Sequence, residues 1–220
     1  MKKYVYIVLA ILILVFFTKD IDFKSLFYSD IKKIDNPSDL LVLVNKNNKL
    51  DNKYIPSNLE KLDLSYSNDN QFLKIEAKLA LENLIKNAVD YKIVVVSSYR
   101  TYDYQDDLFN SYVKNNGEEY ALSCSAKAGH SEHQTGLAID VMGSNNDYDL
   151  FEETKEYEWM KDNAHKYGFI LRYPEEKEHI TGYKFEPWHY RYVGVDVATV
   201  IYENDLTLEQ FYFLYLKKQI

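Results

Sequence analysis

Ser131-Glu132-His133-Gln134-Thr135-Gly136-Leu137-Ala138-Ile139-Asp140 is the stretch from which the rest of this 220-residue chain is best read. Its second half runs on through Val141 and Met142 to Gly143 with no helix breaker inside, which predicts a strand over 137–142. Asp140 is then a charge within an apolar run. Burying a carboxylate without a partner is costly, so Asp140 requires a basic side chain or a metal beside it. His133, on the other side of Gly136, offers an imidazole. A lone histidine is more often solvated than a ligand, and this pair alone leaves the metal and structural readings both open.

Glu186-Pro187-Trp188-His189 supplies a second imidazole and a second carboxylate. Pro187 disfavours regular helix, so Glu186 and His189 are not the helical pair of an H-E-x-x-H site. A turn leading into a strand can still bring both to one ion. Two imidazoles and one carboxylate suit a catalytic zinc that keeps one position for water. The spare carboxylate, Glu186, is then placed to act as general base on that water. Trp188 reads as core or as the wall of such a site. His130, His165 and His179 have no comparable context, and His165, beside Lys166 on a predicted helix, reads as structural or solvated. Cys124 is the sole cysteine, which excludes an intramolecular disulfide and a cysteine-cluster zinc site. Set among Ala121 to Ala126, it reads as a small buried side chain of a helix.

Outward from these motifs, Lys92 to Ser97 is the strongest strand signal, its three consecutive valines predicting a strand covered on both faces. It leads into Ser97-Ser98-Tyr99-Arg100-Thr101-Tyr102-Asp103-Tyr104-Gln105. An arginine at a strand-to-helix turn is placed to enter a cleft and hold a carboxylate through two parallel hydrogen bonds. A structural salt bridge is the equal alternative for Arg100. Apolar periodicity predicts helices over 71–88, 103–114, 118–128, 148–167, 196–203 and 206–216, the fourth closed by Gly168 at its C′ position. Further strands are expected over 169–172 and 188–193, with turns at Pro174 and Gly182. Leu40 to Val44 is a short β-prone run, and Tyr54-Ile55-Pro56 reads as extended chain. Strands separated by long helices give an α+β domain.

The chain begins Met1-Lys2-Lys3 and continues with an apolar run from Tyr4 to Phe17. That run is shorter than the ~20 residues of a comfortable spanning helix, although flanking lysines and tyrosines extend it. Phe16-Phe17-Thr18-Lys19-Asp20 lacks a small-x-small cleavage site. Residues 1–19 are therefore expected to be an uncleaved signal anchor: a single-pass transmembrane helix in the cell membrane, lysines inside and the remainder extracytoplasmic. Secretion after cleavage is the alternative. Residues 20–39 then read as a stalk and 40–220 as the domain. Hydrophobic residues make up 46% of the chain and charged ones 27%, enough for a core and against wholesale disorder. With a net charge of -8 and no Lys/Arg block, nucleic acid is excluded as a partner.

Taken together, the three motifs resemble the VanY-like D-alanyl-D-alanine carboxypeptidases, zinc peptidases that trim bacterial cell-wall peptides. The pattern S-x-H-x-x-G-x-A-x-D is met at Ser131, His133, Gly136, Ala138 and Asp140, and E-x-W-H at Glu186, Trp188 and His189. S-x-Y-R-[ST]-x-x-x-Q is met from Ser97 to Gln105, and the likeness extends over about residues 40–194. The resemblance implies a small, mostly antiparallel central sheet flanked by helices. It implies one zinc ion on His133, Asp140 and His189, Glu186 as catalytic base, and Arg100, Gln105 and Ser131 in contact with substrate. The implied substrates are peptidoglycan stem peptides ending in D-alanine. L,D-carboxypeptidase action on tetrapeptide stems and a non-catalytic wall-binding domain are the alternatives. The helices after Val195 fall outside the likeness and receive no role from it.

Overall fold

The computed structural model describes residues 26–216 other than 69, 144–146 and 149. The expected anchor, residues 1–19, lies outside that range. Among the described residues no helix is long and apolar enough to cross a membrane.

From Leu26 onward the chain lies against the domain rather than standing off it. Strand β1 (Lys32–Lys33) pairs in parallel with β2 (Asn48–Lys49), and the Tyr28 amide donates to Asn47 Oδ1 at 2.7 Å. The expected strand over Leu40 to Val44 does not form. Its side chains Val42 and Val44 are buried, but the carbonyls of Leu40 and Val42 accept from the Arg191 guanidinium instead of a neighbouring strand.

Strand β3 (Leu59–Lys61) pairs antiparallel with β4 (Phe72–Lys74), which leads directly into helix α1 (Ile75–Asn87). The helix expected from Gln71 thus starts four positions late, because Phe72 to Lys74 form ladder bonds and Lys74 is extended, with ψ 143. The buried face of α1 carries Ala77, Leu81 and Leu84, while Ile75 and Leu79, expected inside, are exposed. After β5 (Val94–Ser97) come α2 (Tyr102–Asn116) and α3 (Glu118–Cys124). The Thr101 side chain caps α2 by accepting from the Tyr104 amide. Helix α3 is shorter than expected, since Ser125 turns extended.

A 3₁₀ turn over Glu132–Thr135 precedes β6 (Ala138–Met142). The single helix expected over 148–167 is divided: a 3₁₀ turn over Phe151–Glu153, then α4 (Lys155–Asn163), then a second 3₁₀ turn over Ala164–Tyr167. The break falls at Thr154, which is extended and caps α4 through the Tyr157 amide, a local competitor to helix continuation. Gly168 ends the segment in the left-handed region, as its position predicts. Then follow β7 (Phe169–Leu171), the short α5 (Glu178–Thr181), β8 (His189–Tyr192), α6 (Val195–Glu203) and α7 (Leu208–Phe211).

Strands β5, β6, β8 and β7 form one sheet in that order, every pair antiparallel. Strand β5 is an edge, so of its three valines only Val95 is fully buried, correcting the expectation of cover on both faces. Strand alternation sorts the sheet's side chains. Ile139, Val141 and Tyr190 point into a core shared with Leu81, Leu84, Phe151, Met160 and Phe169. Asp140 and His189 point to the opposite face. All five residues of β6 are buried, so the carboxylate sits where it must be paired.

Candidate metal centre

Asp140 and His189 are register partners on β6 and β8, so their side chains emerge next to each other. His133 reaches the same point from the 3₁₀ turn ahead of β6. Ser131 opens that turn by accepting from the His133 amide at 3.3 Å, and Gly136 closes it at φ 70. A Cβ at Gly136 would lie 2.7 Å from the terminal Leu59 Cδ2, which can swing aside, so it is the left-handed conformation that selects glycine there.

Asp140 Oδ1 lies 3.3 Å from His133 Nε2 and 3.0 Å from His189 Nδ1. One ligand atom from each of His133, Asp140 and His189 falls within 4.8 Å of the others, and all three residues are buried. His133 Nδ1 meets the Ser98 carbonyl at 2.6 Å and therefore carries the proton, leaving the Nε2 lone pair aimed inward. The His189 ring is turned the other way, with Nδ1 inward and Nε2 3.6 Å from Glu132 Oε2. The residues expected as ligands are thus gathered with two fixed rings and a carboxylate oxygen, a donor set that fits a tetrahedral zinc with one open position.

Glu186 stands beside this cluster, its Oε2 3.8 Å from His189 Nδ1. Its backbone is pinned from both sides: the Glu186 amide donates to the Tyr173 carbonyl, and the His189 amide to the Glu186 carbonyl. Arg100 also arrives as expected, but already engaged. Its guanidinium donates to Asp140 Oδ2 at 2.5 Å, to Ser97 Oγ at 2.9 Å and to Gln105 Oε1 at 3.3 Å. Gln105 is itself buried and donates to the Ala126 carbonyl, so it braces Arg100. A cleft of about 1060 Å³ is lined by several tyrosines, including Tyr104, Tyr112 and Tyr148, and by Ser131, Trp188 and the charged cluster.

Burial and neighbouring charge pull these groups apart in acidity. Burial alone would raise Asp140, but His133 and Arg100 beside it hold the carboxyl well below its usual range. Burial, reinforced by Arg100, lowers His133 to about 4. Burial also opposes protonation of His189, yet its hydrogen bond to Asp140 and the negative charge of Glu132 nearby outweigh it and raise the ring to about 9. Glu186 is pushed up to about 8 by burial, against the lowering pull of His189. A carboxyl raised towards neutrality beside a cluster of ligands is suited to exchanging a proton with water there.

Sequence reasoning missed the layer beneath. Glu132 Oε1 accepts from Arg172 Nε and Arg191 Nη1, each at 2.8 Å, and all three side chains are fully buried. Arg172 in turn makes a two-bond pair with Glu209 of α7, at 2.9 and 2.7 Å. Arg172 and Arg191 both fall within predicted apolar strands. The reasoning that singled out Asp140, a charge in an apolar strand needing a partner, applied equally to them. Of the remaining histidines, His130 is buried against the Asn45 carbonyl and His165 stacks on Tyr202 at 3.8 Å, consistent with structural roles.

The sequence matches the family model described as VanY, D-alanyl-D-alanine carboxypeptidase, over residues 70–195. It is 43% identical to the "Putative carboxypeptidase YodJ" of Bacillus subtilis (strain 168), the alignment spanning 89% of this chain and 77% of the relative. Among solved structures, the LdcB LD-carboxypeptidase is 42% identical with a TM-score of 0.78, covering 83% of this chain and 90% of that one. A Zn(II) complex of the vancomycin-resistance D,D-pentapeptidase VanY is 34% identical with a TM-score of 0.68, covering 78% and 97%.

Proposed function

The chain belongs to the VanY D-alanyl-D-alanine carboxypeptidase family, and from that premise we propose that it uses one zinc ion to remove the terminal D-alanine from peptidoglycan stem peptides. The observation that carries this reading is the convergence of His133, Asp140 and His189 on one buried point, with Glu186 alongside.

Zinc held by His133 Nε2, Asp140 Oδ1 and His189 Nδ1 would supply Lewis acidity and lower the pKa of its water towards ~7. Glu186 accepts the proton that the attacking water gives up and returns it to the amine of the departing D-alanine. Burial raises its affinity for a proton, and zinc beside it would draw the carboxyl back towards the ionised form that a base requires. Arg100 pairs with the terminal carboxylate, a role that an internal peptide bond cannot fill because it brings no charge to the guanidinium. One Arg100 nitrogen is committed to Asp140 Oδ2, so the terminal carboxylate competes with Asp140 for that nitrogen, whereas a ligand role for Asp140 Oδ1 leaves the contact in place. Gln105 holds the other side of the guanidinium, and Ser131 fixes the turn that presents His133.

The bond cleaved has two readings. The family description favours the D,D bond of a pentapeptide stem. Higher identity and TM-score to the LD-carboxypeptidase than to the D,D-pentapeptidase favour the L,D bond of a tetrapeptide stem. D-alanine release from both stems decides between them, and release from neither would remove the hydrolase reading in favour of a wall-binding domain. The apolar run from Tyr4 to Phe17 supports placing the domain on the wall side of the cell membrane, which fractionation of tagged protein tests.

A further inference from the structure

The geometry points to Glu132 as the positioning residue of the metal centre, holding His189 in its ligating orientation, with Glu209 of the C-terminal helix completing the charge framework that holds Glu132. This rests on the zinc reading above and assigns a role to α7, which lies beyond the residues matched by the family model.

Glu132 Oε2 and His189 Nε2 are buried, 3.6 Å apart, and neither has a hydrogen-bond partner among the described residues. Two complementary groups without other partners, facing each other just beyond bonding distance, form a contact that a small closing movement completes. A histidine that ligates through Nδ1 must carry its proton on Nε2, and a carboxylate behind that N–H fixes the tautomer and strengthens the ligand. Glu132 is available for this only because its other oxygen is held by two guanidiniums. Those two cations need a second anion, and Glu209 provides it through its two-bond pair with Arg172. Arg191 gives three further donors to the carbonyls of Leu40, Val42 and Tyr192, so the pair with Glu209 falls to Arg172. Two carboxylates and two guanidiniums then balance. Helix α7 is fixed for the purpose by a capping box between Thr207 and Gln210.

In Glu132→Gln an amide replaces the carboxylate, and its NH₂ must face either the His189 N–H or the guanidiniums, donor against donor in both cases. The test is zinc affinity by chelator competition on the full chain, with the absorption spectrum of the cobalt-substituted protein and separate kcat and KM. Second-layer carboxylates behind ligating histidines are typically worth about 10–100-fold in metal affinity. Glu132→Gln is expected to weaken zinc by at least about 10-fold, shift the cobalt spectrum and lower kcat with KM little changed. Glu209→Gln, at a partly exposed position, is expected to weaken zinc several-fold in a folded protein even where Glu132→Gln does not fold. A folded Glu132→Gln, or failing that Glu209→Gln, with wild-type zinc affinity and an unshifted cobalt spectrum overturns the inference. Wild-type protein that binds no zinc overturns the metal reading itself instead.

Discussion

Asp140 and His189 face each other across two adjacent antiparallel strands, with Asp140 Oδ1 3.0 Å from His189 Nδ1. Register alone brings them together. A slip of one residue in either strand would turn its site residue into the apolar core, so the packing of Ile139, Val141 and Tyr190 on the other face also fixes the site.

Glu186 and His189 separate catalysis from metal binding. Glu186→Gln is expected to keep its zinc and lose activity by a factor of about 10²–10⁴, the usual contribution of a positioned proton-transfer group. His189→Ala is expected to lose both. Metal content and D-alanine release on the same preparations check this, and a glutamine variant that still turns over removes Glu186 from its role.

Arg100 is expected to recognise the terminal carboxylate. Converting that carboxylate to an amide should cost the wild type most of its kcat/KM, while Arg100→Ala, already slow, should lose little further. Equal penalties in both proteins would show that the guanidinium serves Asp140 alone.

Stability of the metal-stripped protein should fall as pH rises from 6.5 to 9. His189, raised from 6.5 to about 9, contributes stability that is complete below 6.5 and lost on passing 9. Glu186, raised from 4.5 to about 8, is protonated when folded, so its stabilisation is complete below 4.5 and disappears through pH 8. His133, lowered to about 4, contributes stability that is lost as pH drops from 6.5 towards 4. Between 4.5 and 6.5 the opposed His133 and Glu186 contributions offset, so thermal melts should be level there and decline above pH 6.5, and Glu186→Gln should flatten the alkaline side. A melting temperature that climbs steadily to pH 9 contradicts this assignment.

Gly136→Ala is expected to cost about 1–2 kcal/mol from its left-handed backbone, with only a shift of the Leu59 side-chain tip besides. Chemical denaturation reads the loss. Because the glycine ends the turn that carries His133, zinc affinity should fall in parallel, and an unchanged affinity would mean that the turn is held elsewhere.

Much of this was legible in the sequence because the ligands announce themselves by chemistry: Asp140 is a charge in an apolar strand, and Pro187 and Gly136 mark where the backbone turns. The strand from Ala138 follows from that, whereas joining His133, Asp140, Glu186 and His189 into one site rests on the resemblance of the three motifs to the family. Tertiary context decided the rest. Phe72 to Lys74 carry a helical pattern but are drawn into a ladder with Leu59 to Lys61. Leu40 to Val44 look like a strand, but Arg191 takes their carbonyls. The Glu132–Arg172–Arg191–Glu209 framework joins residues far apart in the chain, and no local pattern pairs them.

The most direct test is zinc titration into the metal-stripped protein with D-alanine release followed at each addition. The expected result is no release without metal and activity rising linearly to a plateau at one zinc per chain, with Glu186→Gln binding the same single ion and releasing D-alanine about 10²–10⁴ times more slowly. Undiminished release from chelator-treated protein, or saturation with no zinc bound at His133, Asp140 and His189, would contradict the account.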